Sequence, residues 1–480
     1  MADADATKWE TVIGLEVHAQ LNTRSKMYCS CRVEQTTELA DANRFVCPVC
    51  LGHPGTLPRP NRQAVIKALT LGEKLGCRIN TVNVFARKNY FYPDLPKGYQ
   101  ISQYELPICE GGRLPYWHGE TALEAGIVRA HLEEDTAKLF HLDDGTAALD
   151  YNRGGVGLIE IVSEPDFRSA EQCVSYLEEL RNLLVKLGIS DAAMESGNFR
   201  CEPNVSVRPV GSTELRTKTE IKNLNSFQTL RRAVEAEVLR QIAVYEGGGS
   251  VHQATMRFDD ARGVTVEMRR KETADDYRYF ADPDIPPLTI SAELKEEASH
   301  LVSSSWFELR RLMVEEDGIT HEAAQTIASD PILHRFYRNC SLDGHSPKEV
   351  ANWVTGDFVR LLREGPLHTE PGELSAILAL MKDGRLTRPQ AREVFEEIYT
   401  SGKATSVVVE EKGFGADSGF DLEGACREVI ARNTKIVDDI LGGKETAINA
   451  LLGQVMKASR GGANPADTTA MIRRLLKLDD

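Results

Sequence analysis

The sequence lacks long apolar runs and has no excess of basic residues. In its 480 residues no apolar run approaches the about 20 residues that span a membrane, so we expect no transmembrane helix. The N-terminus, MADADATKWE, is acidic and contains no hydrophobic segment; we expect no signal peptide, and a bacterial-type cytoplasmic location rather than an organelle matrix. The net charge of −15 argues against a protein that coats nucleic acid nonspecifically, but it leaves room for one RNA bound at a local basic patch.

Three motifs are also missing: a GxxxxGK[ST] phosphate loop, a Gly/Ser-rich amidase segment and a Cys–His glutaminase pattern. Most of the ten cysteines are scattered singly, as reduced core residues of a cytosolic protein are. The exceptions are Cys29, Cys31, Cys47 and Cys50, which form two close pairs. This spacing predicts a structural zinc site with four thiolate ligands; reduced thiols without metal are the alternative.

The chain is too long for one hydrophobic core, so two to four domains are expected. Residues 1–290 mix short alternating runs with helical patterns, which predicts an α+β domain built on an antiparallel or mixed sheet. The predicted strands are 11–21, 126–134, 158–162, 204–208 and 217–222, and the predicted helices are 61–75, 170–187 and 226–245. Residues 86–103, rich in lysine, tyrosine and proline, are predicted to be a rigid loop that lines a site.

Helical patterns dominate after the Pro-rich segment DPDIPPL. Residues 291–404 are predicted to be an all-helical domain, 401–419 to contain a linker, and 405–480 to be a small helical tail domain. The tail is locally basic over 447–478, where five basic residues accompany one acid, Asp467: Lys457, Arg460, Arg473, Arg474 and Lys477. This excess predicts a nucleic-acid contact, although charge alone also fits a solvated helix face.

Residues 149–166, LDYNRGGVGLIEIVSEPD, place a carboxylate inside an apolar strand that follows three glycines. In a strand, Leu158, Glu160 and Val162 share one face, and a carboxylate there is costly unless a cation, a metal or hydrogen-bond donors meet it. The glycines let the backbone approach a ligand closely, and their N–H groups suit phosphate oxygens. The segment therefore predicts the edge of an active site.

Three further strands offer partners for Glu160 by the same alternation. Their polar faces carry Glu16 and His18; Arg129, His131 and Glu133; and Lys218, Glu220 and Lys222. Oxygen-rich ligation with one imidazole suits Mg²⁺ or Mn²⁺ better than zinc, and nearby basic side chains would bind phosphates during phosphoryl transfer. The predicted ligands of this site are Glu16, His18, Glu133, Glu160 and Glu220. Taken singly, each segment also fits a solvated strand face.

These motifs together resemble one family, the B subunit of the glutamyl/aspartyl-tRNA amidotransferase. The matching pieces occur in order over essentially the whole chain. They are VIGLEVHAQL, CPVCLGHPGTLP, ARKNYFYPDLPKGYQISQ, HLEEDTAKL, LDYNRGGVGLIEIVSEPD, RCEPNVSVR, TKTEIKNLNSF, DDYRYFADPDIPPL and GQVMKASRGGANP.

The resemblance implies a ligase that uses ATP and Mg²⁺ to phosphorylate the side-chain carboxylate of glutamate or aspartate misattached to tRNA(Gln) or tRNA(Asn). Ammonia then displaces the phosphate. It also implies a cradle-like catalytic domain with a zinc staple, an amidase (A) subunit that makes ammonia from glutamine, and a small C subunit that completes a heterotrimer. An aminoacyl-tRNA synthetase is an optional further partner. The missing glutaminase pattern agrees with this division of labour.

The resemblance assigns roles to individual residues. The five predicted metal ligands map onto the family's magnesium motifs, and Lys88 and Glu134 match its ammonia tunnel mouth. The implied catalytic residues are Lys88, Glu134, Glu160 and Lys218. The implied ATP or substrate contacts are Asn152, Arg153, Arg200, Asn204, Lys222, Asn223 and Asn225. The implied tRNA contacts are Lys457, Arg460, Arg473 and Arg474.

The sequence departs from the family pattern at three places. Gly157 stands where proline is usual, which is expected to loosen the loop before Glu160; RCEPNVSVR replaces RCDANVSVR, and ADPD replaces PEPD. None of these changes removes a predicted ligand. Two alternatives remain. The related E-type subunit carries an inserted domain that this sequence does not show, and a noncatalytic, zinc-stapled tRNA-binding scaffold would lose the carboxylates that this sequence keeps.

Overall fold

The structure is a computed structural model that describes residues 8–34, 39–142, 144–270, 277–302, 304–414, 421–458 and 465–478. Two units separate by their internal contacts, Met1–Phe307 and Glu308–Asp480. No helix in the described ranges combines the length and the apolar character that crossing a membrane requires.

The first unit contains the strands and four of the helices. Its strands are β1 (Trp9–Gln20), β2 (Arg78–Ile79), β3 (Val82–Asn83), β4 (Ala86–Asn89), β5 (Tyr99–Ser102), β6 (Cys109–Glu110), β7 (Arg113–His118), β8 (Thr121–Glu134), β9 (Lys138–His141), β10 (Ala147–Asp150), β11 (Gly157–Ser163), β12 (Phe199–Pro209), β13 (Thr219–Lys222), β14 (Ala254–Asp259), β15 (Val264–Arg270), β16 (Phe280–Ala281) and β17 (Leu288–Thr289). Its helices are α1 (Arg62–Lys74), α2 (Ala170–Lys186), α3 (Phe227–Glu246) and α4 (Ala292–Ser299).

Ten strands form the main sheet in the order β15-β14-β13-β12-β1-β11-β8-β6-β2, with β7 paired to β8 outside this path. The pairs in this sheet are antiparallel except β13 with β14, which is parallel. The prediction of a mixed α and β region followed by a helical region is therefore confirmed.

The central strands have one apolar and one polar face, because successive side chains of a strand alternate. Ile13, Leu15 and Val17 of β1 and Ile159 and Ile161 of β11 are buried in one cluster with apolar side chains of α1, α2 and α3. The opposite face carries the predicted metal ligands. The helices thus cover one side of the sheet and leave the polar side for a site.

The long predicted elements are confirmed, although β8 and β12 each begin five residues earlier than predicted. β1, β8, β11, β12 and β13 fall on the five predicted strands, and α1, α2 and α3 fall on the three predicted helices. Each helix begins where a side-chain oxygen accepts a hydrogen bond from the first turn, which satisfies an otherwise unpaired backbone N–H. These capping residues are Asn61, Ser169 and Ser226.

Two predictions about irregular segments are wrong in part: residues 90–98 lie outside the strands, as a loop would, and residues 415–419 of the predicted linker lie outside the described residues. The predicted loop 86–103 contains β4 and β5, which pair antiparallel with Lys88 opposite Gln100. Polar side chains do not prevent this pairing, because the backbone groups of the two strands satisfy each other. The predicted linker 401–419 contains a helix, Thr405–Glu411, because Val408 and Val409 are buried in a helical core.

Gly157 is the first residue of β11, and its carbonyl accepts a hydrogen bond from Leu21 N at 2.8 Å. A Cβ at this position would lie 3.4 Å from Leu21 Cδ1, which is ordinary van der Waals contact. The position therefore has room for a side chain. The expected effect of this glycine on the loop before Glu160 stays a prediction.

The remaining helices are α5 (Trp306–Glu315), α6 (His321–Ser329), α7 (Pro331–Leu342), α8 (Pro347–Trp353), α9 (Val359–Glu364), α10 (Pro371–Lys382), α11 (Arg388–Ser401), α12 (Thr405–Glu411), α13 (Leu422–Arg432), α14 (Thr434–Leu441), α15 (Ile448–Ala458) and α16 (Pro465–Leu475). One buried cluster draws on α5 to α12, and a second draws on α13 to α16. We propose that the tail domain begins after α12 rather than at residue 405.

Candidate active site and four-cysteine centre

Two imidazoles and two carboxylates meet on the polar face of β1, β8 and β11. His18 Nε2 lies 3.1 Å from Glu160 Oε2 and 3.8 Å from Glu133 Oε2. His131 Nε2 lies 3.4 Å from Glu133 Oε1 and 3.6 Å from Glu160 Oε2. Both carboxylates are buried. One ligand atom from each of His18, Glu133 and Glu160 lies within 4.8 Å of the other two, so the three could bind one metal ion.

Neighbouring charges control the ionisation of this first group. Burial alone lowers the pKa of His18, but the charge of Glu160 and its hydrogen bond to the imidazole raise that pKa to about 9. Burial and the charge of Glu160 raise the pKa of Glu133, but His131 and Lys88 bring it to about 2. Burial is also outweighed at Glu160, whose pKa lies well below its ordinary value because of His131 and His18. Both carboxylates are therefore ionised at neutral pH and need cations beside them.

Three more carboxylates meet on the neighbouring strands of the same face. Glu202 on β12 lies opposite Glu16 on β1, and one oxygen of each, with one of Glu220, lies within 4.8 Å of the others. Lys222 Nζ lies 2.6 Å from Glu202 Oε2 and 3.7 Å from Glu220 Oε2. Asn204 donates from Nδ2 to Glu16 Oε1 at 2.8 Å, while its buried Oδ1 has no hydrogen-bond partner among the described residues. Carboxylate oxygens and an unpaired amide oxygen are ligands that can coordinate Mg²⁺.

The structure divides the five predicted metal ligands between two groups. His18, Glu133 and Glu160 form the first, while Glu16 and Glu220 belong with Glu202 in the second. The sequence pattern placed His131 on the polar face beside Glu133 but did not count it among the ligands, and it did not assign Glu202 to the site. Alternation could have placed Glu202 on a polar strand face, since it precedes Asn204 by two residues.

Lys88 and Glu134, the predicted tunnel-mouth pair, have different partners. Burial lowers the pKa of Lys88, but Glu133 and other nearby groups raise it above its ordinary value, so this lysine stays charged. Glu134 forms an ion pair with Lys97 instead. Glu134 and Lys97 line a cavity of about 230 Å³ that also borders Cys50. Lys97 is thus a partner of Glu134 that sequence reasoning missed, and the tunnel-mouth role stays a prediction.

The two arginines that are predicted ATP or substrate contacts both approach Asp135, which directly follows β8. Arg200 Nη2 lies 3.0 Å from Asp135 Oδ1, and Arg153 Nε lies 3.8 Å from Asp135 Oδ2. Burial raises the pKa of Asp135, but the charges of Arg200 and Arg153 outweigh burial, so the pKa lies below its ordinary value. Arg153 also donates to the carbonyl groups of Thr136 and Ala137, so two of its N–H groups are already used. Arg200 is the more available of the two for a phosphate.

Asn152, a predicted ATP or substrate contact, is buried, and its side chain forms hydrogen bonds to backbone groups of the protein. Its Oδ1 accepts a hydrogen bond from Phe45 N, and its Nδ2 donates to Asp41 O, both at 2.8 Å. These bonds tie the loop 149–155 to the segment that carries Cys47 and Cys50. Near β13, the predicted catalytic residue Lys218 and the predicted substrate contacts Asn223 and Asn225 are exposed, and their roles stay predictions.

The predicted tRNA contacts are placed on two helices of the tail. Lys457 lies on α15, and Arg473 and Arg474 lie on α16. Arg474 forms an ion pair with Glu423 at 3.2 Å. Arg460 lies outside the described residues. These assignments stay predictions.

The four clustered cysteines converge in space. The Sγ atoms of Cys29, Cys31, Cys47 and Cys50 lie within 4.8 Å of one another. Tetrahedral zinc with Zn–S bonds of about 2.3 Å needs sulfur atoms about 3.8 Å apart, so this arrangement fits the ion. A hydrogen bond from the Cys29 thiol lowers the pKa of Cys50 and raises that of Cys29.

Two family profiles match the chain. The GatB/GatE catalytic domain matches residues 11–296, and the GatB domain matches residues 335–476. Three similar proteins are named as B subunits of an aspartyl/glutamyl-tRNA(Asn/Gln) amidotransferase. The protein of Thermoanaerobacter pseudethanolicus is 45% identical over 476 residues, that of Moorella thermoacetica 46% over 483, and that of Geobacter sulfurreducens 44% over 480. Each alignment covers 98% of this chain and 99% of the relative.

Proposed function

The chain belongs to the GatB/GatE family of amidotransferase B subunits, and from this premise we propose its reaction. It uses ATP to phosphorylate the side-chain carboxylate of misacylated Glu-tRNA(Gln), Asp-tRNA(Asn) or both. Ammonia, made from glutamine by a partner amidase (A) subunit, then forms Gln-tRNA(Gln) or Asn-tRNA(Asn). A small C subunit completes the heterotrimer. The bacterial-type cytosol is the proposed location.

The observation that carries this proposal is the pair of carboxylate groups on one face of the main sheet. ATP and the reacting carboxylate are both anions, so they repel each other unless positive charge lies between them. Two Mg²⁺ ions would supply that charge and stabilise the charge that develops on the transferring phosphoryl group. The unpaired Asn204 Oδ1 and the clustered carboxylates fit such ions. One ion would be held by His18, Glu133 and Glu160, and the other by Glu16, Glu202 and Glu220.

Fixed cations of the chain complete the proposed site. The Lys222 ammonium group now bonds to Glu202, and it becomes free to donate to a phosphate oxygen once that carboxylate binds a cation. Arg200 and Lys88 lie beside the same face and orient anionic groups.

One oxygen of the tRNA-borne carboxylate attacks the γ-phosphorus, and the bond to the ADP oxygen breaks. The nitrogen of ammonia then attacks the activated carbonyl carbon, loses a proton, and phosphate leaves.

Other residues have supporting roles in the proposal. Glu134 and Lys97 border the cavity on the other side of β8, where ammonia would arrive. Zinc at the four cysteines would be structural, because four thiolates fill its tetrahedral shell. In the tail, basic side chains would bind tRNA phosphates: Lys457, Arg460, Arg473 and Arg474.

The test uses the heterotrimer with ATP, Mg²⁺, ammonium chloride and misacylated tRNA, so that glutamine hydrolysis is bypassed. Glu160→Gln removes one ligand charge at nearly constant size, and Glu164→Gln, exposed just beyond β11, is the matched control. Changes beside a metal ligand already cost about 10- to 100-fold, so we expect amidation to fall by at least about 100-fold in Glu160→Gln. Glutaminase activity should persist in both variants. Wild-type amidation in Glu160→Gln would favour the noncatalytic scaffold instead.

A further inference from the structure

Lys26 is a fully buried lysine beside the four-cysteine centre. Its Nζ donates to Tyr151 O at 2.9 Å and lies 3.7 Å from Cys50 Sγ. No carboxylate in the described part of the chain forms a salt bridge with it. A buried ammonium group without an anion is destabilising, as any unpaired interior charge is.

The four-cysteine centre supplies the missing negative charge when it holds metal. Four thiolates around one divalent ion keep a net negative charge, and Cys50 is the thiolate nearest to Lys26. An N–H donor to a ligating sulfur also orients that ligand and tunes its charge. The burial of Lys26 is thus explained by a loaded centre.

The same lysine also contacts the loop 149–155, which leads into β11 and Glu160. Besides the bond from Lys26 to the Tyr151 carbonyl, Met27 N donates to Gly155 O at 2.7 Å. Gly155 has a φ of +85°, and a Cβ there would lie 3.5 Å from Cys50 Cβ and 3.6 Å from Lys26 Cδ. The loop therefore lies directly against the cysteine centre, in a backbone conformation that favours glycine.

The loop is bonded in turn to the end of β8. Gly155 N donates to Asp135 O at 2.9 Å, and Asp135 N donates to Val156 O at 2.7 Å. Asp135 stands two residues beyond Glu133, a member of the first carboxylate group. A displacement of the loop would therefore be transmitted to the residues that hold the carboxylates.

We propose that Lys26 is a positioning residue that couples the metal-loaded four-cysteine centre to the active-site loop 149–155. Its ammonium group balances the thiolate charge at Cys50, and its hydrogen bond holds the Tyr151 carbonyl. The inference rests on the proposed function only in treating this loop as part of the active site. Its tests measure metal release and backbone protection, so they give an answer even if the amidation reaction is disproved.

The first test is the rate at which the heterotrimer releases zinc to a chromogenic chelator. Lys26→Met removes both the charge and the donor, whereas Lys26→Gln removes the charge and keeps an N–H donor. We expect zinc release to be about 10- to 100-fold faster in both variants. Lys67→Met is the matched control, because Lys67 also donates to a backbone carbonyl, that of Gly188, but away from the cysteines. It should release zinc at the wild-type rate.

The second test is amide hydrogen exchange of the zinc-saturated protein. The amides of Met27, Gly155 and Asp135 should exchange about tenfold faster in Lys26→Met, and close to the wild-type rate in Lys26→Gln. Unchanged exchange in α2 shows that the variants are folded. The proposal is overturned if wild-type protein holds no zinc, if neither variant releases zinc faster, or if the control matches them. Wild-type loop exchange in Lys26→Met would also overturn it.

Discussion

Replacing Glu160 with glutamine is expected to remove most of the extra proton affinity of His18. In the metal-free protein the pKa of His18 is about 9, against an ordinary value of 6.5. A pKa difference of about 2.5 corresponds to about 3.4 kcal/mol in favour of the imidazolium form. Glu160 supplies the largest favourable part because its Oε2 lies 3.1 Å from Nε2, whereas that of Glu133 lies 3.8 Å away. With burial still opposing charge, we expect the pKa to fall by about 2 in the variant.

The measurement is deuterium exchange of the imidazole carbon-bound hydrogen, followed by mass spectrometry over a pH series in the presence of a chelator. Glu164→Gln is the control and should keep the wild-type value. Because the folded pKa is raised, this interaction stabilises the protein below pH 6.5 and is lost as the pH rises through about 9. Metal-free wild-type protein should lose stability across that window, and the variant should lose less. A His18 pKa that stays near 9 in Glu160→Gln would refute the geometry.

Three further predictions follow from buried or clustered charges. Glu237→Gln should lower the free energy of unfolding by about 2 to 4 kcal/mol in urea denaturation, because this buried carboxylate accepts several side-chain hydrogen bonds; exposed Glu235→Gln should change little. Those bonds outweigh burial and lower the pKa of Glu237 below its ordinary value of 4.5. The stability that Glu237 adds to the folded protein is therefore present above pH 4.5 and is lost as the pH falls, and a Glu237→Gln variant with wild-type acid stability would contradict this. Glu202→Gln should raise the Mg²⁺ concentration needed for amidation about tenfold or more, and an unchanged Mg²⁺ dependence would exclude this residue as a ligand. Alanine at Arg473 and Arg474 should weaken tRNA binding and lower the salt slope by about one per lost phosphate contact, whereas an unchanged slope would remove them from the interface.

The strands and their polar faces could be predicted because the core needs alternation. In β1, Leu15 and Val17 alternate with Glu16 and His18, so burial of one face determines which side chains reach the other. Alternation does not say which strands are neighbours. Glu202 lies opposite Glu16 only because β12 pairs with β1, and that pairing joins residues far apart in the sequence. The division into two carboxylate groups was therefore not predictable from single segments.

Other features depend on long-range packing that composition does not show. The resemblance implies that Asn152 contacts ATP or substrate, and the structure adds bonds from its side chain to the backbone of Asp41 and Phe45, more than a hundred residues away. A segment near glycine and serine suits a linker, yet Val408 and Val409 make α12 part of a helical core. In the second case the local pattern permits two structures, and the distant contact decides between them.

The most direct test of the central claim follows an oxygen atom from the misacylated tRNA. Glutamate labelled with ¹⁸O in its side-chain carboxylate is attached to tRNA(Gln) and given to the heterotrimer with ATP, Mg²⁺ and ammonium chloride. If the carboxylate is phosphorylated, one of its oxygens leaves with phosphate, so each amide formed should yield one labelled phosphate. Glu160→Gln should abolish this transfer, and Glu164→Gln should retain it. Unlabelled phosphate from wild-type protein, or label transfer at the wild-type rate in Glu160→Gln, would contradict the account.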